Sequence, residues 1–144
     1  ELQRAFSGVV SMFRDASARM AAMRTAVMAV PQPSPEWMAD LQKMENKAYE
    51  IQLALYGDRN AARLDMPTVP SISSRLRAAA AGGGSTSAPT ETMLQNFELA
   101  GKAFRPVLQK IKDLMQNDIQ RMEQKLEAAG APYTPGRTVD WSGN

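Results

Sequence analysis

Four carboxylates crowd one stretch of this sequence: Asp113, Asp118, Glu123 and Glu127. Two acids converging in a pocket could act as general acid and general base. Their neighbours point elsewhere. Lys110 precedes Asp113, Arg121 follows Asp118, and Lys125 lies between Glu123 and Glu127. Mixed charges at helical spacing mark a solvated face, so no catalytic residue is expected here. The chain has no histidine and no cysteine. It therefore lacks the commonest general base, a Ser-His-Asp triad, thiolate metal ligands and disulfides.

Other residue groups invite chemistry and fail the same test. Gly82, Gly83 and Gly84 could suggest a phosphate loop, but no Lys-Ser/Thr follows at the required spacing and no strand precedes. They read as a flexible loop tip. The ten methionines could bind a soft metal only if clustered with His or Cys. Met20, Met23, Met44, Met115 and Met122 instead fall on apolar stripes, as core fillers do. Met12 and Met28 lie off the stripe and are expected to be exposed. No cofactor or metal site is implied. Arg59, Arg63, Arg75 and Arg77 surround a Pro-rich linker. They could form a docking surface for a partner domain, or they could cap helix ends while the prolines stiffen a crossover.

The elements that would position these groups are helical. The stretch Pro89–Ala129 carries Leu94, Phe97, Gly101, Phe104, Leu108, Ile111, Met115, Ile119, Met122, Leu126 and Ala129 in steps of three or four. Thr90 is its N-cap and Gly130 its stop, giving a helix over 90–129 roughly 60 Å long. Pro106 removes a hydrogen bond and predicts a bend there, with two segments meeting near Arg105. The stripe also slips between Met115 and Ile119.

Two matching stripes precede it. Leu2, Phe6, Val9, Phe13, Ala16, Met20, Met23, Val27 and Val30 place helix one over 1–30, where Gly8 suggests close approach of a neighbouring helix. Ser34-Pro35-Glu36 opens helix two, 34–56, with Trp37, Leu41, Met44, Ala48, Ile51 and Leu55 on one face. A crossover occupies 58–88, with one turn capped by Asp58, an extended Met66–Pro70 and a short helix over 71–81. Residues 131–144 form an irregular tail whose anchors would be Pro132, Tyr133 and Trp141. The expected fold is all-α: an up-and-down bundle of three long helices with a short crossover helix. The third helix is the longest, and the sequence leaves open whether it runs parallel or antiparallel to the second.

Composition sets further bounds. The 144 residues suffice for one domain, and 44% apolar content suits a folded chain. Net charge is +2 and the basic residues form no run, so no nucleic-acid partner is expected. No apolar run reaches membrane-spanning length. The sequence opens inside a helical pattern without an initiator Met or a signal peptide, as a piece cut from a longer protein would.

Several separated motifs resemble a known family. They are Leu55-Tyr56-Gly57-Asp58, Ala62-Arg63-Leu64, Pro67–Arg75, Ala88-Pro89-Thr90, Phe104–Leu108 and Ala129–Arg137. In that order they resemble the C-terminal region of large bacterial proteins with sortilin-type (VPS10-like) β-propeller repeats, many labelled as BNR-type glycosyl hydrolases. The resemblance covers about residues 50–137. It departs at Arg59, where the family has a proline, and at the Ala/Gly-rich 78–84, where it tends to aromatics. It implies a non-catalytic C-terminal accessory domain that packs against the propellers of its parent chain, in a bacterial periplasm, at the cell surface or secreted. Two other readings rest on the stripes: a self-associating coiled-coil module forming a homo-oligomer, and a ligand-binding bundle with a buried polar site.

Overall fold

The computed structural model describes residues 1–81 and 88–143. The predicted glycine loop at 82–84 lies outside the described residues. All regular structure among the described residues is helical, so the fold is all-α, as the stripes predict. The helices are α1 (Leu2–Ala29), α2 (Pro35–Tyr56), α3 (Arg59–Arg63), α4 (Ile72–Ala80), α5 (Glu91–Asp113), a π-helical turn (Leu114–Ile119) and α6 (Gln120–Ala128). None is long and apolar enough to cross a membrane.

Local chemistry explains most boundaries. The Asp58 side chain accepts from the backbone N–H groups of Asn60 and Ala61 and starts α3. The Ser71 hydroxyl accepts from Ser74 N–H and starts α4, and Thr90 accepts from Met93 N–H and starts α5. Ser34 occupies the N-cap position of α2 without a side-chain bond, and Pro35 at the first helical position sets the backbone instead. Beyond α6, the Ala131 N–H reaches back to the Leu126 carbonyl and closes the helix.

Cross-helix contacts fix the directions. Along α2, Asp40, Lys47 and Glu50 meet Lys125, Asp118 and Lys110 respectively. The partner number falls as the α2 number rises, so α2 and the α5–α6 rod are antiparallel. Along α1, Phe6 packs near Phe104 and Arg19 pairs with Glu123, so those helices run in the same sense. Arg24 of α1 bonds Glu45 of α2 in a two-pronged pair. The core lies between these helices, with Met23, Val27, Leu41, Ile51, Leu55, Ile111, Leu114 and Leu126 fully buried. Helix α4 packs along α5 and against α2, burying Ile72 and Leu76.

Five expectations need correction. First, α5 continues through Pro106, and the junction between segments is the π turn at Leu114–Ile119, not Arg105. Pro106 and Lys102 are both exposed, so the carbonyl that the proline leaves unpaired belongs to a solvent-side residue. Second, the buried stripe runs Ala100, Phe104, Val107, Ile111, Leu114, Ile119, Met122 and Leu126. Leu108 and Met115 are only partly buried. The slip is real, but it is a step of three followed by one of five, which the wider π turn absorbs. Third, a Cβ on Gly8 would meet nothing, whereas one on Gly101 would lie 3.8 Å from Leu2. Neither glycine marks a close approach, since 3.8 Å is ordinary van der Waals contact. Fourth, Met12 packs partly buried against the core while Met28 is exposed. Fifth, Tyr133 and Trp141 are exposed, and the tail is anchored by Ala131 and Thr134. There Gly136, at φ +92°, lets the Arg19 guanidinium press against a backbone with no side chain; a Cβ would sit 2.7 Å from Arg19 Nε.

Candidate functional site

Three regions present chemistry at the surface. The first is the charge ladder between α2 and the long rod. Asp113 and Asp118 are five positions apart. In an α-helix such positions sit about 140° from one another around the axis. The π turn closes its hydrogen bonds over five residues and brings them to nearly one face. Both carboxylates accept from Lys47 Nζ, at 2.6 and 2.5 Å. Burial of Lys47 opposes its charge, but its hydrogen bonds to Asp113 and Asp118 and the charges of both outweigh that and hold its pKa above the usual lysine value. The Asp113 carboxyl titrates low because Lys47 and then Asn117 donate to it. One step along, Lys125 donates to Asp40 at 2.6 Å, which raises the lysine and lowers the acid.

This ladder borders a cleft of about 310 Å³ between α2 and α6. Met44 and Met122 form its floor, and Lys43, Lys47, Arg121 and Lys125 face Asp40 and Asp118 across it. The lysines it positions are already held by carboxylates, so the arrangement sets helix register. Exposed pairs of this kind contribute about 0–1 kcal/mol each. The acids that the sequence grouped as one solvated helical face do lie at the surface. Their main partners, however, lie on other segments: Lys47 of α2 reaches Asp113 and Asp118, Arg19 of α1 reaches Glu123, and Arg137 of the tail reaches Glu127. The five-residue acid spacing at the slip was the only signal that Asp113 and Asp118 share a partner. Among the described residues no group of His, Cys, Asp and Glu has metal-binding geometry.

The second region is the start of α5. Leu94 is 59% and Phe97 49% exposed; the half-buried residues leading into Ala100 and Phe104 are Met93 and Asn96, so the expected stripe positions Leu94 and Phe97 lie beside the buried face. Helix α4, which packs along α5, leaves these two side chains exposed.

The third region is the crossover. Arg59 and Arg63 lie on α3, Arg75 and Arg77 on α4. Arg59, Arg63 and Arg77 are exposed, and Arg75 is half-buried. Among the described residues none of the four forms an ion pair. The chain between them, Met66–Pro70, has no regular secondary structure and is exposed. Behind it a second groove of about 470 Å³ separates Val69 and Pro70 from Leu53, Ala54 and Ala103 of the bundle. Among the described residues the buried polar ones are Ser71, whose hydroxyl caps α4, and Thr134 in the tail, whose hydroxyl has no hydrogen-bond partner. No protein-family model, curated protein or solved structure matches this chain.

Proposed function

We propose that this chain is a non-catalytic helical accessory domain that packs against the propeller domains of a larger, exported bacterial protein. The observation that carries the reading is the uncovered apolar start of α5. Leu94 and Phe97 lie beside the core stripe of α5 and remain exposed, a large apolar pair available to another domain. The motif resemblance supplies the identity of that domain. The surface carboxylates are engaged by cations from neighbouring helices, which suits a structural role for them.

The sequence encoded upstream of Glu1 tests the reading. Repeated propeller-blade motifs are expected there, and their absence overturns it. Hydrolysis of a glycoside by this chain, abolished by one carboxylate substitution, would also overturn it. The same apolar end supports a second reading, self-association through α5. Light scattering distinguishes the two: a concentration-dependent dimer that Phe97→Ser abolishes favours self-association.

A further inference from the structure

The segment between Gly57 and Ser71 is built for presentation. The chain leaves α2 at Gly57, whose φ of +81° suits glycine. It returns at Ser71, and a Cβ on Gly57 would lie 3.6 Å from Ser71 Cβ. Residues 58–70 are therefore a surface excursion whose two ends touch, the geometry of an Ω-loop. Every residue from Ala62 to Pro70 is exposed, including apolar Leu64 at 72%, Met66 at 56% and Val69 at 84%. The core gains nothing from these three side chains.

The backbone at the loop's tip is preset. Pro67 and Pro70 fix their own φ near −65° and hold Met66 and Val69 extended. Ser71, directly after Pro70, is in the polyproline II region at φ −71°, ψ 165°. A polyproline II helix repeats every three residues, so Pro67 and Pro70 share a face. Among the described residues, no backbone N–H or carbonyl of 67–70 hydrogen-bonds within the protein. Arg59 and Arg63 stand exposed on the N-terminal side.

We propose that Pro67-Thr68-Val69-Pro70 is a docking ridge for a protein partner whose groove is lined by aromatic side chains and rimmed by carboxylates. Such grooves take paired prolines between aromatic rings and read a flanking arginine with acids. Stiffness lowers the ordering cost of binding, and closure of the loop at Gly57 and Ser71 lowers it further. The proposal rests on the interaction-domain reading and names the chemistry of one partner.

The test uses the full 15N-labelled chain titrated with a panel of purified SH3 and WW domains. The expected result is saturable shifts between Arg63 and Arg75. Pro67→Ala/Pro70→Ala should weaken binding about tenfold or more, and Arg63→Glu, placed on an exposed helix, should weaken it several-fold, with unchanged thermal melts. Three outcomes overturn the proposal: no shifts with any domain of the panel, shifts that survive the double substitution, or shifts centred on Leu94 and Phe97. Propeller motifs upstream of Glu1 would leave the broader reading standing even if the titration failed.

Discussion

The two ends of the long rod both carry large apolar side chains, which meet different fates. Around Ile111, Leu114, Ile119 and Leu126 the stripe is fully buried, and α1, α2 and the charge ladder face it. At the start of α5 the inward positions are Met93 and Asn96, half-buried, and the large apolar Leu94 and Phe97 lie beside them, exposed. Periodicity states which side chains share a face; the length and placement of the partner helices decide which face is covered. The exposed pair is thus a property of the bundle and not of the helix that carries it.

The largest test of this contrast is truncation at both ends. Leu114→Ala should cost about 2–5 kcal/mol, through lost burial and a residual cavity, whereas Leu94→Ala should fall within about 0.5 kcal/mol. Urea unfolding followed by circular dichroism reads both, and equal losses would show that the exposed pair is covered in solution.

Removing the cation at the π turn is the next step down. Lys47→Met leaves Asp113 and Asp118 facing each other without their shared partner. A loss of about 1–2 kcal/mol is expected, since Lys47 is partly exposed. Adding Asp118→Asn should recover part of it, because the repulsion goes with the charge. Additive losses would mean the two carboxylates do not interact.

Acidity probes the same ladder. Asp40 and Asp113 titrate below their ordinary range when folded, so their stabilisation is complete above about pH 4 and drains away as pH falls through the lower folded values. Lys47 and Lys125 titrate above theirs, so their stabilisation is complete below about pH 10 and is lost as pH rises through the higher folded values. The melting temperature should be flat between these limits and fall outside them. In Lys47→Met both falls should be shallower.

The smallest effect is expected at the π turn's surplus residue. Deleting exposed Gln116 would place the two aspartates four positions apart, still on one face, and restore a regular α-helix. The melting temperature should shift by only about 2–4 °C. A loss well beyond that would show that the wide turn itself holds α6 in register.

Much of the fold was legible because its signals are local. Asp58, Ser71 and Thr90 act as caps through bonds to backbone two or three residues away, and such bonds need no tertiary context. The slip before Ile119 was visible as a break in spacing. Its resolution was not: choosing Leu114 over Met115 required the neighbours against which the rod turns. Pro106 sits inside a continuous α5 because the carbonyl it strands belongs to the solvent-side Lys102, and sequence spacing does not state that. Tyr133 and Trp141 misled because large apolar side chains anchor a tail only where the bundle offers them room.

The site follows the same division. The arginines around the crossover and the paired prolines stood out in composition. That Gly57 and Ser71 touch, and so turn a linker into a closed loop, is a contact over fourteen positions of sequence. Sequence alone determined the helices, the apolar faces of α1 and α2 and the caps at Asp58, Ser71 and Thr90, because these depend on the nearest few residues. Tertiary structure decided the direction of the third helix, the cross-helix partners of the charges and which large apolar side chains of the long rod remain bare. Those depend on distances between segments that no local pattern records.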